Sequence, residues 1–157
     1  MRAQVGFTLI ELLVTLAIMA LLASLVVPVA EIGVRRAKEG ELRDNLRSIR
    51  NALDAYKKES DAGRIAVKVG ASGYPTSLDV LVQGVTDQRD PKGSKLFFLR
   101  RIPRDPMRDA SDGEAAQDWA LRSYASPPAQ PRAGMDIFDV ASRSRAIALD
   151  GSAYAGW

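Results

Sequence analysis

A chain of 157 residues, 46% of them hydrophobic, with a formal net charge of +3 and neither cysteine nor histidine, has room for one ordinary domain and one further element. Lacking both residue types, it has no disulfide framework, no thiol nucleophile, no thiolate or imidazole metal site and no imidazole general base. The charge is small and its signs are interspersed, as on a solvated surface, so no nucleic-acid partner is expected.

Residues 1–6, Met1-Arg2-Ala3-Gln4-Val5-Gly6, form a short polar leader with one side-chain charge. Residues 7–30 follow as FTLIELLVTLAIMALLASLVVPVA, with Glu11 as their single charged residue. At about 1.5 Å per residue this run is long enough to cross a hydrocarbon layer of about 30 Å as a helix. A cleaved secretory signal would have a shorter apolar region and a small-x-small cleavage site. The nearest such site here, Pro28-Val29-Ala30, places a proline three residues before the cut. A plain anchor explains the length of the run and leaves Glu11 unexplained. On insertion scales a carboxylate in the apolar phase costs about 2.5–3.5 kcal/mol. It either snorkels to the headgroups or has a task.

The residues around it, Gly6-Phe7-Thr8-Leu9-Ile10-Glu11-Leu12, resemble the class III signal of prepilins and prepseudopilins. The resemblance implies that a prepilin peptidase cuts between Gly6 and Phe7 and that Phe7 becomes the N-methylated first residue. It also implies that Glu11 pairs with the N-terminal amine of a neighbouring subunit during filament assembly, each buried charge neutralising the other. Pro28 matches a helix-bending position of the family, although a proline is also an ordinary residue of membrane helices. Arg35, Arg36, Lys38 and Arg43 follow the apolar run, against Arg2 and the amino terminus before it. A positive-inside count alone therefore puts the large domain in the cytoplasm. The leader motif implies the opposite: a single-pass inner-membrane protein with its C-terminal domain in the periplasm.

Residues 31–60 keep a helical pattern with a new face. Leu42, Leu46, Ile49, Leu53 and Tyr56 form an apolar stripe at spacings of 4, 3, 4 and 3, too short for a coiled coil and suited to docking on a domain. Glu31 with Arg35, Glu39 with Arg43 and Asp54 with Lys58 are favourable i,i+4 pairs. Asp61-Ala62-Gly63 predicts the helix end, and residues 61–157 form the soluble domain. Within it, residues 65–69 alternate like a strand. Residues 74–82 suggest a short helix capped by Thr76 or Ser77. A mixed loop covers 86–95, residues 119–124 and 136–141 predict strands, and the aromatic tail folds back. The expected fold is α+β and pilin-like. A long N-terminal helix, membrane-spanning in one half and amphipathic in the other, packs on a small antiparallel sheet of about three strands.

Three further stretches occur in order: Gly73-Tyr74-Pro75-Thr76, then Leu99-Arg100-Arg101-Ile102-Pro103-Arg104-Asp105-Pro106, then Asp136-Ile137-Phe138. Together they resemble the major pseudopilin of type II secretion. The resemblance implies a subunit of a periplasmic pseudopilus that drives protein export across the outer membrane. The implied partners are the prepilin peptidase, copies of the chain itself, minor pseudopilins, the inner-membrane assembly platform and the lipid bilayer. The alternative is a pilin of a surface type IV pilus serving adhesion, motility or DNA uptake; the absence of cysteine favours the first, since many surface pilins close a C-terminal disulfide. Major pseudopilins also carry an acidic calcium loop near the C-terminus. Here the matching residues are Asp139-Val140-Ala141-Ser142-Arg143-Ser144-Arg145, with arginines where acids would serve, and Asp139 and Asp150 are too few for six or more ligands. No cofactor is expected, calcium being the alternative left open by the unmatched acidic loop, and Asp150-Gly151-Ser152 predicts a turn. No phosphate loop, activated nucleophile or metal cluster is present, so an enzyme is not expected. The arginines from Arg100 to Arg104 suggest a solvated face more than a phosphate site.

Overall fold

The computed structural model describes residues 6–108 and 113–157, with the backbone alone at 25 and 27. The leader residues 1–5 therefore lie outside the described residues. The chain divides into two compact units, Met1–Ala37 and Lys38–Trp157. Helix α1, Leu9–Asp61, contributes to both.

In the first unit the helical segment is long and apolar enough to cross a membrane, and its described side chains are all exposed. Its hydroxyls are satisfied within the helix: Thr15 Oγ1 donates to the Leu12 carbonyl at 2.9 Å and Ser24 Oγ to that of Leu21 at 2.7 Å. Lipid offers no alternative partner, so this internal pairing suits a hydrocarbon surrounding. Pro28 sits inside α1 without ending it. Its missing N–H deprives the carbonyl four residues back, that of Ser24, of its helical donor.

The second unit is built on the stripe. Leu42, Leu46, Ile49, Leu53 and Tyr56 are buried against Leu78, Leu81, Trp119, Ile137, Val140 and Tyr154. Removing this apolar area from water contributes about 25 cal/mol per Å² to the unit's stability. The helix stops in a Schellman motif: Gly63 N–H donates to the Ser60 carbonyl at 2.9 Å and Arg64 N–H to that of Glu59 at 3.0 Å. Gly63 holds a φ of +69° there, a value that side chains resist.

Beyond the helix the chain departs from expectation in several places. Residues 65–69 form no strand: Ile65 turns into the core and Val69 is fully exposed. Helix α2, Asp79–Gln83, starts after Leu78 with no side-chain cap, so Thr76 and Ser77 do not serve there. The mixed loop contains an antiparallel hairpin, β1 (Val85–Thr86) with β2 (Lys95–Leu96). Its connection is tied by Asp90, whose carboxylate accepts from the N–H groups of Lys92 (2.9 Å) and Ser94 (3.2 Å). A second antiparallel pair joins β3 (Trp119–Arg122) to β4 (Asp139–Ser142), with Trp119 opposite Ser142 and Leu121 opposite Val140. The fold is thus α+β with a long N-terminal helix, and the expected three-stranded sheet is two separate two-stranded ladders. After β2 the N–H groups of Phe98 and Leu99 both turn to the Leu81 carbonyl of α2, at 3.0 and 2.9 Å. They are thereby used before a third strand can form.

Candidate functional site in the N-terminal segment and its supporting domain

Gly6 and Phe7 precede α1. A Cβ added at Gly6 would meet nothing within 4 Å, so packing within this chain does not demand glycine there. Phe7 is 79% exposed. Thr8 is the N-cap: its Oγ1 accepts from Glu11 N–H at 3.3 Å, and its own N–H points back to Glu11 Oε2 at 3.5 Å. This is a reciprocal capping box. Its signal in the sequence is the threonine three residues before a glutamate, Thr8 and Glu11. The carboxylate therefore sits at the positive end of the helix dipole, where a negative charge is favoured. Leu9, Ile10, Leu13, Leu16, Met19 and Leu22 present a continuous exposed apolar surface on both sides of it. Such a surface requires lipid or protein around it.

In the second unit the first and third motif stretches meet, while the second binds α1, β3 and β4. Tyr74 packs edge-on against Phe138 with ring centroids 5.2 Å apart, and the Pro75 carbonyl accepts from Ile137 N–H at 2.8 Å. Gly73 is required where it stands: its φ is +82°, and a Cβ would lie 2.9 Å from Ser60 Oγ on α1. The proline-flanked turn is a clasp. The Pro103 carbonyl accepts from Trp119 Nε1 at 3.0 Å, and the Arg104 carbonyl accepts from Asn45 Nδ2 of α1, also at 3.0 Å. Asp105, 3% exposed, accepts from Met107 N–H at 2.8 Å and Ser142 Oγ at 2.5 Å. Arg104 and Arg108 lie 3.3 and 3.4 Å from the buried Asp118. All three arginines of this stretch are exposed, and Arg104 is the one paired with the buried Asp118.

The tail folds back as expected, through a residue the sequence assigned elsewhere. Glu39 is 5% exposed and turns away from the expected pairing with Arg43. Its Oε1 accepts from the Tyr154 hydroxyl and from Leu149 N–H, both at 2.8 Å. A buried carboxylate needs donors of this kind, and helical spacing reveals nothing of a partner more than a hundred residues away. Arg43 instead lies over the Trp157 ring, 4.1 Å from its centroid, and 3.7 Å from Asp150. Asp150 forms the expected turn, accepting from Ser152 N–H at 2.9 Å and Ser152 Oγ at 2.6 Å.

At the far end of α1, Arg64 bridges Glu59 (2.7 Å) and Asp87 (2.5 Å). Hydrogen bonds from the Arg64 guanidinium, and then from Arg89 N–H, hold the Asp87 carboxyl below the usual carboxylate range.

A family profile described as the prokaryotic N-terminal methylation motif matches residues 1–27. The type II secretion system core protein G of Aeromonas hydrophila is 33% identical over 109 residues, covering 67% of this chain and 68% of that protein. The protein of the same name from Pseudomonas aeruginosa is 35% identical over 109 residues, covering 67% and 69%. That of Vibrio cholerae is 32% identical over 109 residues, covering 68% and 67%. No solved structure matches the fold. Residues 1–27 carry the methylation motif, and the resemblance extends over two thirds of the chain. The chain thus belongs to the type II secretion system core protein G family and is a membrane-anchored pseudopilin, a structural subunit and not an enzyme.

Proposed function

We propose that the chain is made as a precursor, cut between Gly6 and Phe7 by a prepilin peptidase and N-methylated at Phe7. It then assembles with copies of itself into a periplasmic pseudopilus that drives protein export across the outer membrane. In this reading residues 1–6 are the leader, 7–30 the membrane-spanning half of the helix, 31–60 its amphipathic half and 61–157 the periplasmic domain. Minor pseudopilins and an inner-membrane assembly platform are its working partners, and the inner membrane holds the subunit before assembly.

The observation that carries the reading is Glu11, among the described residues the one carboxylate in an exposed apolar surface, its side chain facing the Thr8 N–H at the helix N-terminus. Cleavage after Gly6 creates a new amine four residues before it. On assembly, the amine of a neighbouring subunit replaces solvent at that carboxylate, and two charges that would be costly alone in an apolar surrounding compensate each other. Pro28, which leaves a helical carbonyl without its donor, allows α1 to bend where subunits pack.

A deletion strain tests the assignment. Loss of secreted enzymes from the medium with normal surface pili is the expected result. Intact secretion with lost pili would move the subunit to a surface pilus. The mass of the membrane-extracted chain checks processing, with loss of residues 1–6 and gain of one methyl group expected.

A further inference from the structure

A calcium ion takes six to eight oxygen ligands, carboxylates and main-chain carbonyls among them. In this chain Asp139 and Asp150 lie beside arginines, and Asp136 is taken by the Ser123 hydroxyl and the Tyr124 N–H. Asp139 receives Arg50 Nε at 2.7 Å and lies 3.8 Å from Arg122 Nη1. Asp150 is turned onto Ser152 and lies 3.7 Å from Arg43. Among the described residues no three histidine, cysteine, aspartate or glutamate side chains gather to hold a metal. The donor set does not fit the calcium site that the family resemblance implies.

The same place contains a fixed cation. Arg50 reaches out of α1 with its side chain 37% exposed. Its Nε donates to the Asp139 carboxylate, and its Nη2 donates to the main-chain oxygens of Val140 at 3.0 Å and Trp157 at 2.7 Å. The Asp139 carboxylate and two main-chain oxygens, from β4 and from the tail, thus converge on a single positive group. We propose that Arg50 is the resident cation of the C-terminal region, so that the tail closes on the amphipathic part of α1 without a divalent metal. The guanidinium suits this task because it is always charged, weakly hydrated and presents several donors in a rigid fork. Arg43, seven residues earlier on the same helix, lies under Trp157, whose Nε1 donates to Ser152 Oγ at 2.7 Å. Two arginines on one helical face therefore hold both halves of the tail.

The test uses the full chain in detergent micelles and reads hydrogen exchange at Ala148 and Tyr154, whose N–H groups donate within the tail to Ser152 and Ala146. Tryptic cleavage after the exposed Arg145 gives a second readout. Wild-type protein is expected to show the same exchange in EGTA and in calcium chloride. Arg50→Ala is expected to accelerate both readouts roughly tenfold, the effect of losing charge-assisted hydrogen bonds on a local opening. Arg50→Lys, which keeps the charge and loses the fork, falls between the two. Arg47→Ala removes a guanidinium that pairs with Asp44 on its own helix and is expected to leave the tail as slow as wild type. Faster exchange of the wild type in EGTA, or slower exchange on adding calcium, overturns the proposal. So does wild-type protection in Arg50→Ala. If Arg50→Ala does not fold, Arg50→Lys decides: protection equal to wild type overturns the proposal, and partial loss supports it.

Discussion

Glu11 and Gly6 illustrate how differently two neighbouring residues can be constrained. Glu11 has a local role that any soluble helix would recognise, closing a capping box with Thr8. Its location at the edge of a long apolar surface gives it a second one. Glu11→Val is expected to leave leader cleavage intact and to abolish most filament yield, measured by sheared-fraction immunoblot. Normal yield would refute the pairing of Glu11 with a neighbour's amine. Loss of the cap alone costs about 0.5–2 kcal/mol, which unfolds no unit, so a filament defect in folded protein belongs to assembly. Gly6 meets no neighbouring atom that a methyl group would disturb. Gly6→Ala is therefore expected to leave the fold and membrane insertion unchanged while the precursor accumulates with its leader attached. A processed Gly6→Ala chain would show that the peptidase does not require glycine there.

The amphipathic part of α1 is the element on which the second unit is assembled. Ile49 lies at the centre of its buried stripe, and Ile49→Ala is expected to destabilise the unit by about 2–5 kcal/mol through lost burial and a residual cavity. A urea titration of the detergent-solubilised chain measures this, and a midpoint equal to wild type would mean that the stripe does not carry the core. The helix terminus contributes through charge as well. The carboxyl of Asp87 is depressed in the folded chain by the hydrogen bonds of Arg64. Its contribution is therefore complete above the unfolded value, about 3.9, and is lost as pH falls through the lower folded value. Asp87→Asn is expected to be less stable than wild type at neutral pH, with the deficit closing on acidification. A deficit of constant size would assign the effect to something other than ionisation. The stripe and the Schellman end were legible in the sequence because both are local periodic or turn signals. The hairpin of β1 and β2 was not, since strands of two residues are shorter than any alternation that could announce them.

At the scale of the whole molecule, charge and motif disagree about sidedness. The basic residues after the apolar run favour a cytoplasmic domain by the positive-inside count, whereas membership of a secretion pseudopilin family favours a periplasmic one. A reporter active only in the periplasm, fused after Trp157, is expected to be active; an inactive but intact fusion would reverse the orientation. Local sequence determined the membrane-length apolar helix, the leader motif, the amphipathic stripe and the absence of cysteine and histidine chemistry, because each is a matter of composition or of spacing within a few turns. The tertiary structure alone decided what Glu39, Arg50 and Asp105 do. Each is a charged residue bound to groups 37 to 115 positions away. A buried or half-buried charge must find its donors or acceptors wherever the fold brings them, and no pattern along the chain records that meeting.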